Sequence, residues 1–202
     1  MPKKDRQKLI TEIVSTVLGE KAETDRKFDW FINKHKKQHF KGHFYTIDHI
    51  FKTLKGNIES NQSKRLTYLE CDAYFGGKYN FIFEFDEYQH FSSARLQAID
   101  LYPKNLRTNF LFTTWEKFCG LNKEKADKYR QNKKTKDFNF VGSRTAQRAY
   151  LDCFRDLLPS NHGLNPTLRI ADFEVKDIYS NTTESCRKVE GILKIRIKEK
   201  MQ

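Results

Sequence analysis

Cysteine, proline and long apolar runs are scarce in this chain, and each scarcity excludes something. The four cysteines, Cys71, Cys119, Cys153 and Cys186, are widely scattered with no C-x-x-C pair. That spacing argues against a zinc ribbon or a dithiol redox motif and reads as small buried side chains of an intracellular protein. With four prolines and nine glycines among 202 residues, there is no internal repeat, low-complexity tract or linker that would mark a second domain. No stretch approaches the roughly twenty apolar residues of a membrane helix. The charged first residues are followed by no apolar segment, which reads as the lack of a secretory leader, and the location expected is the cytoplasm of a microbial cell. Acidic residues are also in deficit, 26 against 38 lysines and arginines, for a formal charge of +12. Such a surplus marks a polyanion binder, with nucleic acid as the default partner.

What is present suits one domain with its own core: 38% hydrophobic residues, 17 of them phenylalanine. The pattern predicts an α/β (α+β) chain in which a mixed central sheet is flanked by helices. Residues 1–60 read as a helical N-terminal part, 66–115 as the core and 116–202 as completing helices and strands.

The informative stretch runs from Leu69 to Arg95, LECDAYFGGKYNFIFEFDEYQHFSSAR. It reads as strand, glycine turn, strand and the start of a helix. Glu70 and Asp72 alternate in the first strand, Glu84 and Asp86 in the second, so each pair shares a face. Ala73 and Phe81, Phe83 and Phe85 supply the apolar face. A three-residue loop, Gly76-Gly77-Lys78, would pair Phe75 with Tyr79 and set Glu70 opposite Glu84 while keeping both apolar faces together. Opposed like charges destabilise a sheet, and a divalent cation held by hard carboxylate oxygens would compensate. A solvated outer face explains the same spacing, and spacing alone does not separate the two.

The segment EFDEYQHF, residues 84–91, followed by Arg95, resembles the E-x-D-x-x-Q-H stretch of endonuclease-like proteins related to very-short-patch repair nucleases, within the PD-(D/E)XK restriction-endonuclease-like superfamily. In that group an aspartate lies about a dozen residues upstream, where Asp72 stands. Glu87 replaces the usual glycine, and no lysine follows two residues after Glu84. The resemblance implies a restriction-endonuclease-like fold and a Mg²⁺-dependent endonuclease acting on double-stranded DNA in restriction or repair, with Mn²⁺ able to substitute. It implies Asp72, Glu84, Asp86 and Glu70 as the carboxylates around the metal, and Gln89 and His90 orienting water or protonating the leaving group. A palindromic target would require a homodimer, since duplex symmetry mirrors protein symmetry. The competing expectation is a basic nucleic-acid-binding protein without catalysis.

Around this core the periodicity predicts a helix over about 3–19, with Leu9, Ile10, Ile13, Val14, Val17 and Leu18 inward. It predicts a second helix over about 24–38 and a third over 47–58. His35, His39 and His43 are four apart, but crowding lysines and the lack of an acidic or cysteine ligand favour a basic surface over zinc. Ser92 or Ser93 caps a helix carrying Arg95 and ending at Pro103, with Arg95 either a phosphate contact or a helix-to-sheet salt bridge. Residues 108–115 (TNFLFTTW) read as a strand reached by a parallel crossover. Residues 116–136 read as a charged helical piece, and its Arg130, Lys133, Lys134 and Lys136 suit phosphate contacts, as does Lys78 in the hairpin turn.

Residues 143–158 make the clearest helix. Its buried stripe is Ala146, Ala149, Tyr150, Cys153, Phe154 and Leu157, with Arg144, Gln147, Arg148 and Arg155 outside it. Arg144 and Arg148 are candidate nucleic-acid contacts. Residues 167–175, with Asp172 and Glu174 as a second acidic alternation, and 191–198 (GILKIRIK) read as strands, the latter at a lysine-guarded edge.

Overall fold

A computed structural model describes residues 3–24 and 26–197, with the side chains of Lys3 and Lys4 left aside. Four strands form one open mixed sheet in the order β1-β2-β3-β4. They are β1 (Ala22–Glu23), β2 (Ala73–Phe75), β3 (Phe81–Asp86) and β4 (Asn165–Ala171). β1 and β2 pair antiparallel, as do β2 and β3, and β4 lies parallel to β3. The helices are α1 (Lys3–Leu18), α2 (Lys37–Phe40), α3 (Phe44–Thr53), α4 (Ile58–Ser63), α5 (Ser93–Asp100), α6 (Phe112–Asp127), α7 (Ser143–Leu157) and α8 (Thr183–Arg196).

Alternation along the strands decides which face each helix covers. Phe81, Phe83 and Phe85 of β3, with Leu168 and Ile170 of β4, pack against Ile10, Ile13 and Val14 of α1 and Val189 and Leu193 of α8. The opposite face meets the helices α3, α5, α6 and α7 through a second cluster that includes Ile82, Trp115, Tyr150 and Phe154. The acidic positions Glu84 and Asp86 fall on that second face. They are buried beneath α7 rather than solvated.

One arginine reconciles this burial with charge. Arg169 of β4, fully buried, reaches Asp86 at 2.6 Å, Asp156 at 2.7 Å and Asp152 at 3.5 Å. Arg95 of α5 holds the other oxygen of Asp156 at 2.7 Å and Tyr102 at 2.8 Å. Trp115 donates its indole N–H to Asp86 Oδ2 at 2.9 Å. Burial alone would raise Asp152 and Asp156, yet the surrounding cations bring both below the ordinary carboxylate range. The buried stripe expected on α7 is buried, from Ala146 to Leu157.

Several sequence expectations are corrected. The turn between β2 and β3 is five residues, with Phe75 opposite Phe81 rather than Tyr79. Tyr79 is drawn into the core, its hydroxyl donating to Leu18 O, and Asn80 is tied to Gly163 O. Continuing the ladder one step sets Asp72, not Glu70, across from Glu84.

Residues 26–36 are not helical. Asn33 instead bonds both backbone and side chain to the 65–67 segment, and Leu69 N donates to Phe31 O. The helix expected over 47–58 starts earlier, at Phe44, and breaks at Lys55 (φ 61°) and Gly56, where a side chain would run into the Phe51 ring. The strand expected over 108–115 shrinks to one parallel bridge, Asn109 with Leu168. Phe112 already begins α6, because Trp115 and Cys119 recur at helical spacing against the core. The parallel crossover therefore joins β3 to β4 through α5, α6 and α7.

Residues 191–196 end α8, where Val189, Leu193 and Ile197, spaced by four, form a buried stripe on the sheet; Lys198 lies outside the described residues. The strand expected over 167–175 ends at Ala171. Asp172 and Glu174 lie in the following turn, paired with Arg6 and Arg196.

Removing a buried ion-pair partner leaves the remaining charges uncompensated, at a cost of about 3–5 kcal/mol. Arg169→Met is therefore expected to lower the urea unfolding free energy at neutral pH by about that amount. A loss below about 1 kcal/mol would show that the cluster does not set the position of α7.

Candidate functional site

At the C-terminal end of β3 the sheet, the turn after it and α7 enclose a cleft of about 290 Å³. Asp72, Glu84, Gln89, His90, Arg144, Arg148, Asp152 and Arg155 all line it. One face of α7 contributes Arg144, Arg148, Leu151 and Arg155, at spacings of four, three and four. A wider groove of about 1070 Å³ between α1 and residues 70–72 shares Asp72 and Arg155 with the cleft, so Asp72 borders both spaces while Glu84 lines the cleft alone.

Asp72 is oriented by its backbone neighbour: Phe85 N donates to Asp72 Oδ2 at 2.7 Å. Burial pushes the Asp72 carboxyl up to about 6, despite that hydrogen bond and the nearby Arg155. Burial pushes Glu84 further, to about 8, although Arg155 draws it down. The Asp72 charge adds to the rise at Glu84, and the Asp86 charge adds to that at Asp72. Arg155 Nε lies 2.8 Å from Glu84 Oε1 but off the N–H direction, so that buried oxygen makes no hydrogen bond. The other Arg155 nitrogens donate to Glu70 O at 2.6 Å and Leu151 O at 3.1 Å. The guanidinium also lies 4.9 Å from the Phe31 ring centroid. Cys71 is buried beside this pair and its thiol is pushed up to about 12, so it is inert.

His90 follows in a short turn, Tyr88–His90. Its Nδ1 lies 3.0 Å from Asp152 Oδ2 and 3.5 Å from Asp86 Oδ1. Gln89 is buried, with its amide on Glu87.

Six of the expected site residues thus meet in the cleft: Asp72, Glu84, Gln89, His90, Arg144 and Arg148. The others fall elsewhere. Asp86 points into the Arg169 cluster, where Arg169 and Trp115 occupy its two oxygens. Glu70 is exposed in the wider groove and offers Arg155 only its carbonyl. Lys78 is exposed in the hairpin turn, at the far end of β3. Arg95 is buried on Asp156 and Tyr102, the salt-bridge alternative rather than a phosphate contact. Arg130, Lys133, Lys134 and Lys136 are exposed between α6 and α7.

The histidine row also dissolves: His35 is buried, with Nδ1 2.8 Å from the Tyr150 hydroxyl and Nε2 3.3 Å from Asp48. Arg155, Asp152 and Arg169 were not singled out from the sequence. The polar positions 152, 155 and 156 on an amphipathic helix were the available signal.

Among the described residues, no three His, Cys, Asp or Glu side chains form a preassembled metal cage. Asp72 and Glu84 nevertheless fit Mg²⁺, which needs only one or two protein carboxylates beside water and phosphate oxygens. Two protonation-prone carboxyls, one with an orphaned buried oxygen, are what such a site presents before a cation neutralises it. Compared with models of protein families, with curated proteins and with solved structures, the chain finds no match in any of the three.

The raised carboxyls fix a sign for stability. Each binds a proton in the folded chain at pH values where the unfolded chain has released it. The stability they carry is complete below about pH 4 and is lost as pH rises through about 6 and then 8. Glu84→Gln removes the larger share of that loss. In divalent-free buffer the variant is expected to melt above the wild type near about pH 9 and no higher than it near about pH 5, by scanning calorimetry. The reverse order would mean that Glu84 is ionised at no cost.

Proposed function

We propose that this chain is a Mg²⁺-dependent phosphodiesterase acting on DNA, an endonuclease of restriction or repair type. One observation carries the reading: Asp72 and Glu84, brought from two adjacent strands, share a cleft whose helical wall is arginine-rich. The resemblance of residues 84–90 to PD-(D/E)XK endonucleases and the +12 charge support it.

Asp72 and Glu84 would hold the cation, with Mn²⁺ as a substitute. When bound, that ion polarises a phosphoryl oxygen and lowers the pKa of water. Arg155, fixed by two backbone carbonyls, keeps Glu84 in place and sets positive charge beside the scissile phosphate. His90, oriented through Nδ1 by Asp152, leaves Nε2 to pass a proton to the departing oxygen, as an Asp–His pair does elsewhere. Gln89 orders water at the same wall. Hydrolysis then adds the water's hydroxyl to phosphorus and its proton to the leaving sugar oxygen. A second copy of the chain would serve a palindromic site.

A non-catalytic nucleic-acid-binding protein is the second reading. The fact in its favour is that Arg155 already supplies Glu84 with a counter-ion. Supercoiled plasmid with Mg²⁺ separates the two. Wild type is expected to nick or linearise it, Asp72→Ala and Glu84→Ala to leave it intact, and His90→Ala to slow the reaction about 10²–10⁴-fold. Wild type inert on varied sequences, or carboxylate variants that still cut, would remove the nuclease reading.

Metal binding must also displace protons from Asp72 and Glu84. The Mg²⁺-induced rise in melting temperature is therefore expected to grow between about pH 6 and pH 8.5, and to vanish in Glu84→Gln. A shift independent of pH would place the ion elsewhere.

A further inference from the structure

Arg144 and Arg148 at the outer end of the cleft, with Arg130 on the segment beside them, differ from the arginines around them. Arg6, Arg95, Arg155, Arg169 and Arg196 each have a carboxylate partner. Among the described residues, no ion pair joins Arg130, Arg144 or Arg148 to one. They are close enough to repel: burial, then Arg148, then Arg130 hold the Arg144 guanidinium below its ordinary value. Arg144 Nε is buried without a hydrogen bond, and its Nη1 reaches only the neutral Gln147. Arg148 donates to the Gln89 carbonyl at 3.3 Å. Arg130 and Arg148 each lie 5.3 Å from the Tyr129 ring centroid, which orients both without neutralising either. Asp152, the acid that acts on Arg144, does so less than burial and the two arginines, and it is committed to His90 and Arg169. Holding three cations together without an anion costs stability that a ligand would return.

The helix sets the distance from this cluster to the carboxylates. Arg155 touches Glu84, and Arg148 and Arg144 lie seven and eleven residues back along α7. At about 1.5 Å per residue that is about 10 and 16 Å, or roughly three to five nucleotide steps at about 3.4 Å along a B-form strand.

We propose that Arg130, Arg144 and Arg148 form a second phosphate subsite, which grips the substrate strand a few nucleotides to one side of the bond held over Asp72 and Glu84. The inference rests on the nuclease reading for its register, not for its chemistry. The substrate is then an oligonucleotide extending past the cut on that side, not a dinucleotide or a nucleotide end.

The test is DNA binding in EDTA, followed by the fluorescence anisotropy of a labelled duplex of about 20 base pairs across a salt series. For Arg144→Gln/Arg148→Gln the slope of log Kd against log salt is expected to fall by about 1–2. Lys176→Gln/Arg187→Gln removes the same charge from exposed positions that line neither the cleft nor the wider groove, and should leave the slope unchanged. Arg144→Lys/Arg148→Lys should keep most of it and reports on folding. Equal slopes for the wild type and the first variant, or an equal drop in the control, would overturn the subsite. Cleavage is scored separately. A chain that loses slope but never cuts keeps the subsite and loses the nuclease reading; one that cuts with an unchanged slope does the opposite.

Discussion

The Arg169 guanidinium, sealed between the sheet and α7, is the contact on which the rest of the molecule depends. Three aspartates from two elements converge on it, Asp86 from β3 and Asp152 and Asp156 from α7. A charge out of water is costly, and attraction at low dielectric repays the cost only when the partners are closely placed and their remaining valences are filled. Arg95, Tyr102, Trp115 and His90 fill them. Because those partners come from α5, α6 and the turn after β3, the cluster fixes four elements against the sheet at once. The apolar core could tolerate a small sliding of α7; the ion pairs, with their short range and fixed directions, could not.

Two kinds of carboxylate therefore stand on one sheet face. Asp152 and Asp156 are surrounded by cations and held below the ordinary range, whereas Asp72 and Glu84 are held above it by burial. Neighbouring groups driven in opposite directions are the usual mark of a division between structure and chemistry. The cation-paired aspartates stabilise the fold, whereas Asp72 and Glu84 carry a cost of ionisation in spite of their contacts to Phe85 N and Arg155.

Much of this was legible in the residues, but unevenly. Period-two acidity in 70–86 announced paired strands with a charged face, and the apolar stripe of α7 was readable residue by residue. The register was not, because it depends on Tyr79 and Asn80 finding partners in Leu18 and Gly163, far away in sequence. The 108–115 and 191–198 segments misled for a related reason: aromatic and β-branched residues favour strands locally, and tertiary packing of Trp115 and Leu193 overrode that preference. Hardest to see was the polar side of α7. A charged position on an amphipathic helix normally faces water; here Asp152, Arg155 and Asp156 face a sheet that is itself charged, and only the fold reveals that the two match.

That match makes α7 a ruler as well as a wall. Its inner end is clamped through Asp152 and Asp156 to Arg169 and meets Glu84 through Arg155 between them, while its outer end presents Arg144 and Arg148. Asp152 also reaches His90, so the histidine, the carboxylates and the arginine cluster are all referenced to one rigid helix. On the proposed reading, a polyanion seated on the outer arginines would be registered against Asp72 and Glu84 without any movement of the chain. Rigid placement of this kind would turn weak phosphate contacts into orientation at a reacting bond. The same ion cluster that holds the fold together thus also sets the spacing between the outer arginines and the carboxylates.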